Sequence, residues 1–402
     1  MSSAVMDGAF FFGFFSPSVG CFFGFFLFCL VWGLAQPDRP SSAAENRSLA
    51  QRPAMRRVVT DFGGFAKDFE SYAADQFPDR EQLIGVYTAL ELAQGKKFAR
   101  KAYCLQGGWL LTKPTPTKPA DLSALQQALA QAGALDRPLV WCVLPLKNEA
   151  LYDLEPAYFS DETGKTNKQA LTAALAQVEG LTVIDAEAPL VTGTLADRER
   201  YFYKTDFHWN ARGAFAAAQE IARQLAGAGT IAETSVPQAE DFLWSELGGE
   251  RRYQGDLNVW FSNQFSMQED IPRYVPKNAA DLRYFLHPGD IESVPRETIV
   301  GSGLDKDPVT YNDVFTYNLG YCRVENPDAP EAASVLILKD SFQNATIDYL
   351  SAIFRSVTVV DPRSYQETPD LASLLDADGI DLVLFFYHQN NVSRELIDFL
   401  SA

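Results

Sequence analysis

Short apolar runs alternating with helical patterns fill the carboxyl-terminal part of this chain. Val335 to Leu338, Val357 to Asp361 and Leu382 to Tyr387 read as strands, separated by helical patterns at about 342–355 and 368–377. Leu139 to Pro145 (LVWCVLP) is a continuous apolar run, the signature of a strand buried on both faces. A helical pattern from Leu122 to Ala132 precedes it. Another, from Lys168 to Val178, leads into the short strand Leu181 to Asp185, and residues 211–227 read as an alanine-rich helix. Strands alternating with helices predict a mainly parallel sheet covered on both faces, a three-layer α/β/α domain. Asp61 to Phe77 carries Phe62, Phe65, Phe69, Tyr72 and Ala73 at helical spacing and stops at Pro78. Between roughly 230 and 330 the patterning is mixed, with many aromatics and Gly/Pro turns, and predicts only irregular α+β structure.

The amino end follows a different rule. Ala9 to Ala35 has no charge in 27 positions, although Pro17 interrupts its first third. A bilayer-spanning helix needs about 20 apolar residues, so the run is long enough for a membrane anchor. The alternative is a signal peptide cut after the small residues of Gly33-Leu34-Ala35. Residues 36–54, rich in Pro, Ser, Arg and Ala, read as an extended linker. The expected organisation is therefore an anchor or signal segment at 1–36 and a linker at 37–60. A single folded domain follows at 61–402, with a less regular insertion at about 230–330. No Lys or Arg precedes the apolar run, whereas Arg39, Arg47, Arg52, Arg56 and Arg57 follow it. By the positive-inside rule alone, the bulk of the chain would lie in the cytoplasm.

Composition narrows the function classes. Lys plus Arg total 34 against 52 Asp plus Glu, a formal charge of −18, which disfavours nucleic acid as a partner without a local basic patch. It also weighs against any strongly anionic partner, at close range only because salt screens the charge. Five cysteines form no C-x-x-C pair, and three histidines leave no basis for a multi-His metal site. Neither a metal nor an organic cofactor is expected.

Parallel sheets present ligands at the carboxyl ends of their strands. One predicted strand runs through Lys339-Asp340 into Ser341, and a helical pattern follows. A nucleophile favours such a strand-to-helix turn, where backbone N–H groups can hold an oxyanion. The alternative is a plain helix-capping serine. Asp206 and His208 stand two apart, with Trp209 beside them and Asn210 placed to cap the 211–227 helix. An Asp-x-His loop can supply both a base and the carboxylate that orients it. A third strand ends in His388, Asn390 and Asn391. His388 competes with His208 as the base, and either asparagine is a candidate oxyanion donor or a turn residue.

Taken together, the sequence blocks resemble the DHHW protein family and its relatives, the periplasmic alginate O-acetyltransferase proteins of SGNH-hydrolase type. The blocks are Pro37-Asp38-Arg39, Glu45-Asn46-Arg47-Ser48-Leu49-Ala50, Arg52-Pro53, Phe69-Glu70 and Asp75 to Arg80. Further on come Gly107-Gly108-Trp109-Leu110, Leu144-Pro145-Leu146-Lys147 and Lys204-Thr205-Asp206-Phe207-His208-Trp209. The last are Gly255-Asp256-Leu257, Lys339-Asp340-Ser341 and Val360 to Tyr365. The family's D-H-H-W reads D-F-H-W here, with Phe207 in place of the first histidine. The related acetyltransferases have Asp-x-His, so the outer pair is retained.

The resemblance implies an SGNH-like fold and a triad of Ser341, His208 and Asp206. The serine follows the acid and base in the chain, the reverse of ordinary SGNH hydrolases, as in a circular permutation. It also implies Asn390 or Asn391 as the oxyanion-hole asparagine, with Arg363, Tyr365 and Trp209 as pocket candidates. The implied reaction is O-acyl transfer, most plausibly acetyl, onto hydroxyls of a cell-envelope or secreted polysaccharide. A membrane-bound O-acyltransferase would supply the acyl group. The family is exported, which places the catalytic domain outside the cytoplasmic membrane, against the arginine count. Two other readings keep the same fold: an esterase that removes acyl groups, and a non-catalytic glycan-binding or assembly component.

Overall fold

Seven strands form the central sheet of the computed structural model, which describes residues 17–42, 47–154, 162–247, 251–366 and 371–402. In chain order they are β1 (Leu139–Leu144), β2 (Leu181–Asp185), β3 (Arg283–Phe285) and β4 (Tyr321–Glu325). β5 (Glu331–Lys339), β6 (Phe354–Val360) and β7 (Leu382–His388) complete the set. Their order across the sheet is β3-β4-β6-β5-β7-β1-β2. The five strands from β6 to β2 pair in parallel, whereas β3 with β4 and β4 with β6 are antiparallel. The fold is thus an α/β arrangement with a mostly parallel sheet.

Alternate residues of the central strands feed two separate cores, because successive side chains in a strand point to opposite faces. Val140, Cys142, Ile337, Leu384 and Phe386 face the helix Ala211–Gly227, which supplies Ala214, Phe215, Ala218, Ile221 and Leu225. Trp141, Val143, Leu336, Leu338, Val383 and Phe385 pack the opposite core. There they meet Leu125 and Leu129 of Pro119–Gly133, Leu171 of Thr163–Leu175 and Leu396 of Arg394–Leu400. Two apolar faces on one sheet require helices on both sides, which gives the three layers.

Two expectations need correction. The helical pattern at 342–355 is broken: a 3-10 turn covers Ser341–Ala345, a short helix covers Ile347–Ser351, and Phe354 already begins β6. A tight return to the sheet leaves no room for four helical turns. The irregular stretch at 230–330 also contributes to the main sheet, since β3 and β4 extend its edge beyond β6.

The chain divides into two compact units, Met1–Gln94 and Gly95–Ala402. The first unit contains helices at Pro17–Ala35, Phe62–Asp75 and Arg80–Ala93. Asp38, Arg39 and Ala50 of this unit are tied to the end of the second of these helices. Ala50 N–H donates to the Asp75 carboxylate (2.8 Å), the Arg39 guanidinium to the Asp75 carbonyl (2.7 Å), and the Tyr72 hydroxyl to Asp38 (2.7 Å). Glu45 and Asn46, and residues 9–16 of the apolar run, lie outside the described residues. Among the described residues no helix is long and apolar enough to cross a membrane.

Candidate active site

Ser341, His208 and Asp206 meet in a continuous line of contacts. The Ser341 Oγ lies 2.8 Å from His208 Nε2, and His208 Nδ1 lies 2.7 Å from Asp206 Oδ1. Asp206 is wholly buried, and each of its oxygens accepts two hydrogen bonds. Oδ1 accepts from His208 Nδ1 and from the His208 backbone N–H (3.0 Å). Oδ2 accepts from the Tyr253 hydroxyl (3.1 Å) and the Asp256 N–H (3.0 Å). Burial works against ionisation of Asp206, but His208 and these N–H groups outweigh it and hold the carboxyl below its ordinary range. An ionised Asp206 accepts only, so Nδ1 carries the proton and Nε2 is left to accept from Ser341.

Local sequence explains half of this. The i,i+2 spacing lets one carboxylate take both the N–H and the ring of His208. The loop is closed where Phe202 and Trp209 bridge and Asn210 N–H donates to the Tyr201 carbonyl (2.9 Å). Asn210 then caps the Ala211–Gly227 helix through Arg212 and Gly213 N–H groups. Tyr311 stacks on the imidazole with centroids 3.9 Å apart and planes 6° from parallel, fixing its tilt.

The serine is positioned by the end of β5. Asp340, not Ser341, caps the turn: its Oδ1 accepts from Phe342 N–H (2.9 Å), which leaves the serine side chain uncommitted to capping. Asp340 Oδ2 accepts from His388 N–H and from Asn391 Nδ2, both at 3.2 Å. Trp209 Nε1 (3.0 Å) and the Tyr311 hydroxyl (3.2 Å) both donate to the Phe342 carbonyl, joining the histidine loop to the nucleophile turn. The Ser341 N–H has no acceptor among the described residues and is therefore available to an oxyanion.

The other sequence candidates have different surroundings. His388, the rival base, lies 3.8 Å from Asp340 and accepts from Asn390 N–H through Nδ1 (3.2 Å). Asn390 Oδ1 accepts from Asn167 (2.5 Å), so only Asn391 reaches the nucleophile turn directly. Arg363 holds Asp361 in a two-point contact (2.9 and 2.7 Å), and Tyr365 packs edge-on against Phe399. Trp209 is fully buried, a brace rather than a pocket wall. Asp206, His208 and Asp256 each bring a ligand atom within 4.8 Å of one another. Both His208 nitrogens already face Asp206 and Ser341, so this set has no free imidazole for an ion.

Tyr253 and Tyr311 carry no local signal in the sequence; each reaches the Asp206–His208 pair through space. Phe207, the family's missing histidine, lies with its ring 4.0 Å from that of His208 and is partly buried. Because the triad contacts bypass it, Phe207→His is expected to change ester turnover by less than about fivefold, under ~1 kcal/mol in barrier. A steady-state assay of the two proteins checks this; a larger loss would give the phenyl ring a role in holding His208.

The family model described as SGNH hydrolase-like domain, acetyltransferase AlgX, matches residues 109–281. No curated protein sequence matches significantly. Among solved structures, Bacillus cereus PatB1 superposes with a TM-score of 0.62 at 24% identity, covering 72% of this chain and 97% of its own. PatB1 with a sulfonyl adduct gives a TM-score of 0.61 at 23% identity, over 72% of this chain and 95% of its own. A DHHW family protein from Eubacterium siraeum gives 0.58 at 17% identity, over 76% of this chain and 96% of its own. At these identities the likeness is one of fold. By family model and by fold, this chain is similar to the SGNH hydrolase-like acetyltransferases and to the DHHW proteins, as its sequence blocks implied.

Proposed function

We propose that the protein transfers an acyl group, most plausibly acetyl, through Ser341 onto hydroxyls of a cell-envelope or secreted polysaccharide. The observation that carries this reading is the 2.8 Å contact between Ser341 and His208, itself seated on buried Asp206. His208 takes the Ser341 proton as Oγ attacks the acyl carbon, and Asp206 stabilises the imidazolium that forms. The leaving group departs with that proton, and an acyl-serine remains. A sugar hydroxyl then gives its proton to His208 and attacks the ester, which regenerates Ser341. In this reading the catalytic unit works outside the cytoplasmic membrane, the apolar run from Ala9 is a membrane anchor or a signal segment, and a membrane-bound O-acyltransferase supplies the acyl group.

A binding module of the same fold has no need to hold nucleophile and base in contact, so the geometry supports catalysis over that alternative. Esterase activity uses the same triad with water as acceptor. Intact mass of the full chain after exposure to an activated acetyl ester tests the acyl-serine. Wild type is expected to gain an acetyl group or turn over, whereas Ser341→Ala and His208→Ala lose that signal. Equal background in all three folded proteins would sink the triad. Adding a neutral oligosaccharide separates the acceptors: ester on the sugar supports transfer, and free acetate alone supports the esterase.

A further inference from the structure

The loop that carries Asp206 is gripped along both hydrogen-bonding edges by charges of opposite sign. Lys147 is buried just beyond the carboxyl end of β1. Its ammonium donates to the carbonyls of Leu110 (2.8 Å), Lys204 (2.8 Å) and Asp206 (2.7 Å). Three acceptors match the three N–H groups of an ammonium, whereas a neutral amine has two. No carboxylate lies within ion-pair distance of Lys147 among the described residues; the Trp109 ring lies 5.0 Å from its nitrogen. On the other edge, the Glu269 carboxylate accepts from Lys204 N–H (2.5 Å), Thr205 N–H (2.9 Å) and the Thr205 hydroxyl. The Thr205 carbonyl accepts from Asn258 N–H (3.2 Å). Gly255 sits so close that an added Cβ would lie 2.3 Å from the Thr205 carbonyl carbon.

We propose that Lys147 and Glu269 are paired positioning residues that set the 204–206 backbone so that Asp206 meets His208. A buried ammonium without an ion-pair partner is a costly way to fill a core. Burial pulls Lys147 down to about 7, with Glu269 and Asp206 opposing the shift. An apolar side chain of similar length would avoid that desolvation. What it would lack is three directed donors, one of them on the carbonyl of Asp206 itself. Glu269 is likewise pushed up by burial while the loop N–H groups and Lys147 favour its charge. Removing either grip frees the loop to shift, and misplacements of about 1 Å near reacting groups can cost ~100-fold in rate. The inference rests on reading Asp206 and His208 as the base of the proposed function.

Two readouts on the full chain test it. One is the downfield proton resonance of His208 Nδ1–H, identified by its loss in His208→Ala. The other is the rate at which phenylmethylsulfonyl fluoride modifies Ser341. In Lys147→Met the resonance is expected to move upfield or vanish, and sulfonylation to slow at least about tenfold. Glu269→Gln is expected to slow it several-fold. The double variant should fall short of the product of the two losses, because both act on one loop. A folded Lys147→Met with wild-type resonance and wild-type rate would overturn the proposal, however much its melting temperature fell. If Lys147→Met does not fold, an unchanged resonance and rate in Glu269→Gln overturn it instead. Wild type without a downfield resonance also overturns it. Wild type with the resonance but no sulfonylation defeats the serine mechanism, and the resonance of the variants then decides this inference alone.

Discussion

Asp206→Asn is expected to lower turnover of an activated acetyl ester by about four orders of magnitude. The substitution keeps the shape of the side chain and changes what it can accept. Four donors converge on the carboxylate: His208 Nδ1–H, His208 N–H, the Tyr253 hydroxyl and the Asp256 N–H. An asparagine oxygen satisfies one pair of them, and its amide group then confronts the other pair as a donor. Turning that amide toward the imidazole selects the tautomer with Nε2 protonated, which cannot accept from Ser341. The loss should fall on kcat, because Asp206 is wholly buried and does not touch substrate. A loss smaller than about tenfold in a folded variant would mean that His208 keeps its tautomer without Asp206.

Asp361→Asn is expected to destabilise the fold by about 3–5 kcal/mol. Asp361 directly follows β6 with no exposed surface, in a two-point contact with Arg363 and 3.6 Å from the Lys339 nitrogen. Lys339 is 1% exposed and also donates to Asn344, so without the carboxylate its charge stays buried and uncompensated. Lys339 stands two residues before Ser341, and loosening there should reach the nucleophile turn. Urea unfolding of wild type and variant measures the effect, and a midpoint shift worth under about 1 kcal/mol would show that Asn344 suffices for Lys339. The acid dependence has a definite sign. Burial pushes the Asp361 carboxyl up, but Arg363 and Lys339 outweigh it and hold it below its ordinary range. The unfolded chain therefore binds this proton more tightly. The stabilisation is complete above the unfolded value of about 4 and is lost as pH falls through the folded one. Asp361→Asn should flatten that part of the acid limb.

The sequence blocks carried the family likeness and the identity of three residues that come together, but not the structure that holds them. Asp206 and His208 were legible because two residues of spacing suffice for their contact. Asn210 was legible as a helix cap for the same reason. Tyr311, Tyr253, Lys147 and Glu269 act on the loop from four separate parts of the chain. A hydroxyl or ammonium aimed at remote backbone leaves no periodic trace among its own neighbours. Asn390 and Asn391 could not be separated in the sequence; the turn after β7 sends one to Asn167 and the other to Asp340.

What the chain determined by itself was the elements whose apolar pattern is strong and local. LTVID is β2 as read, and residues 211–227 are the helix as read, because a short β-branched run and the 3.6-residue repeat are local properties. The tertiary structure decided where β3 and β4 pair, how the 342–355 pattern splits, and the meeting of Ser341 with His208. Those two residues are 133 apart in sequence. Their contact depends on β5 lying at the centre of the sheet, on Asp340 turning the chain at its end, and on Trp209 and Tyr311 bonding the Phe342 carbonyl. Strand order and register are set by the packing of both cores at once, so no local stretch of sequence encodes them.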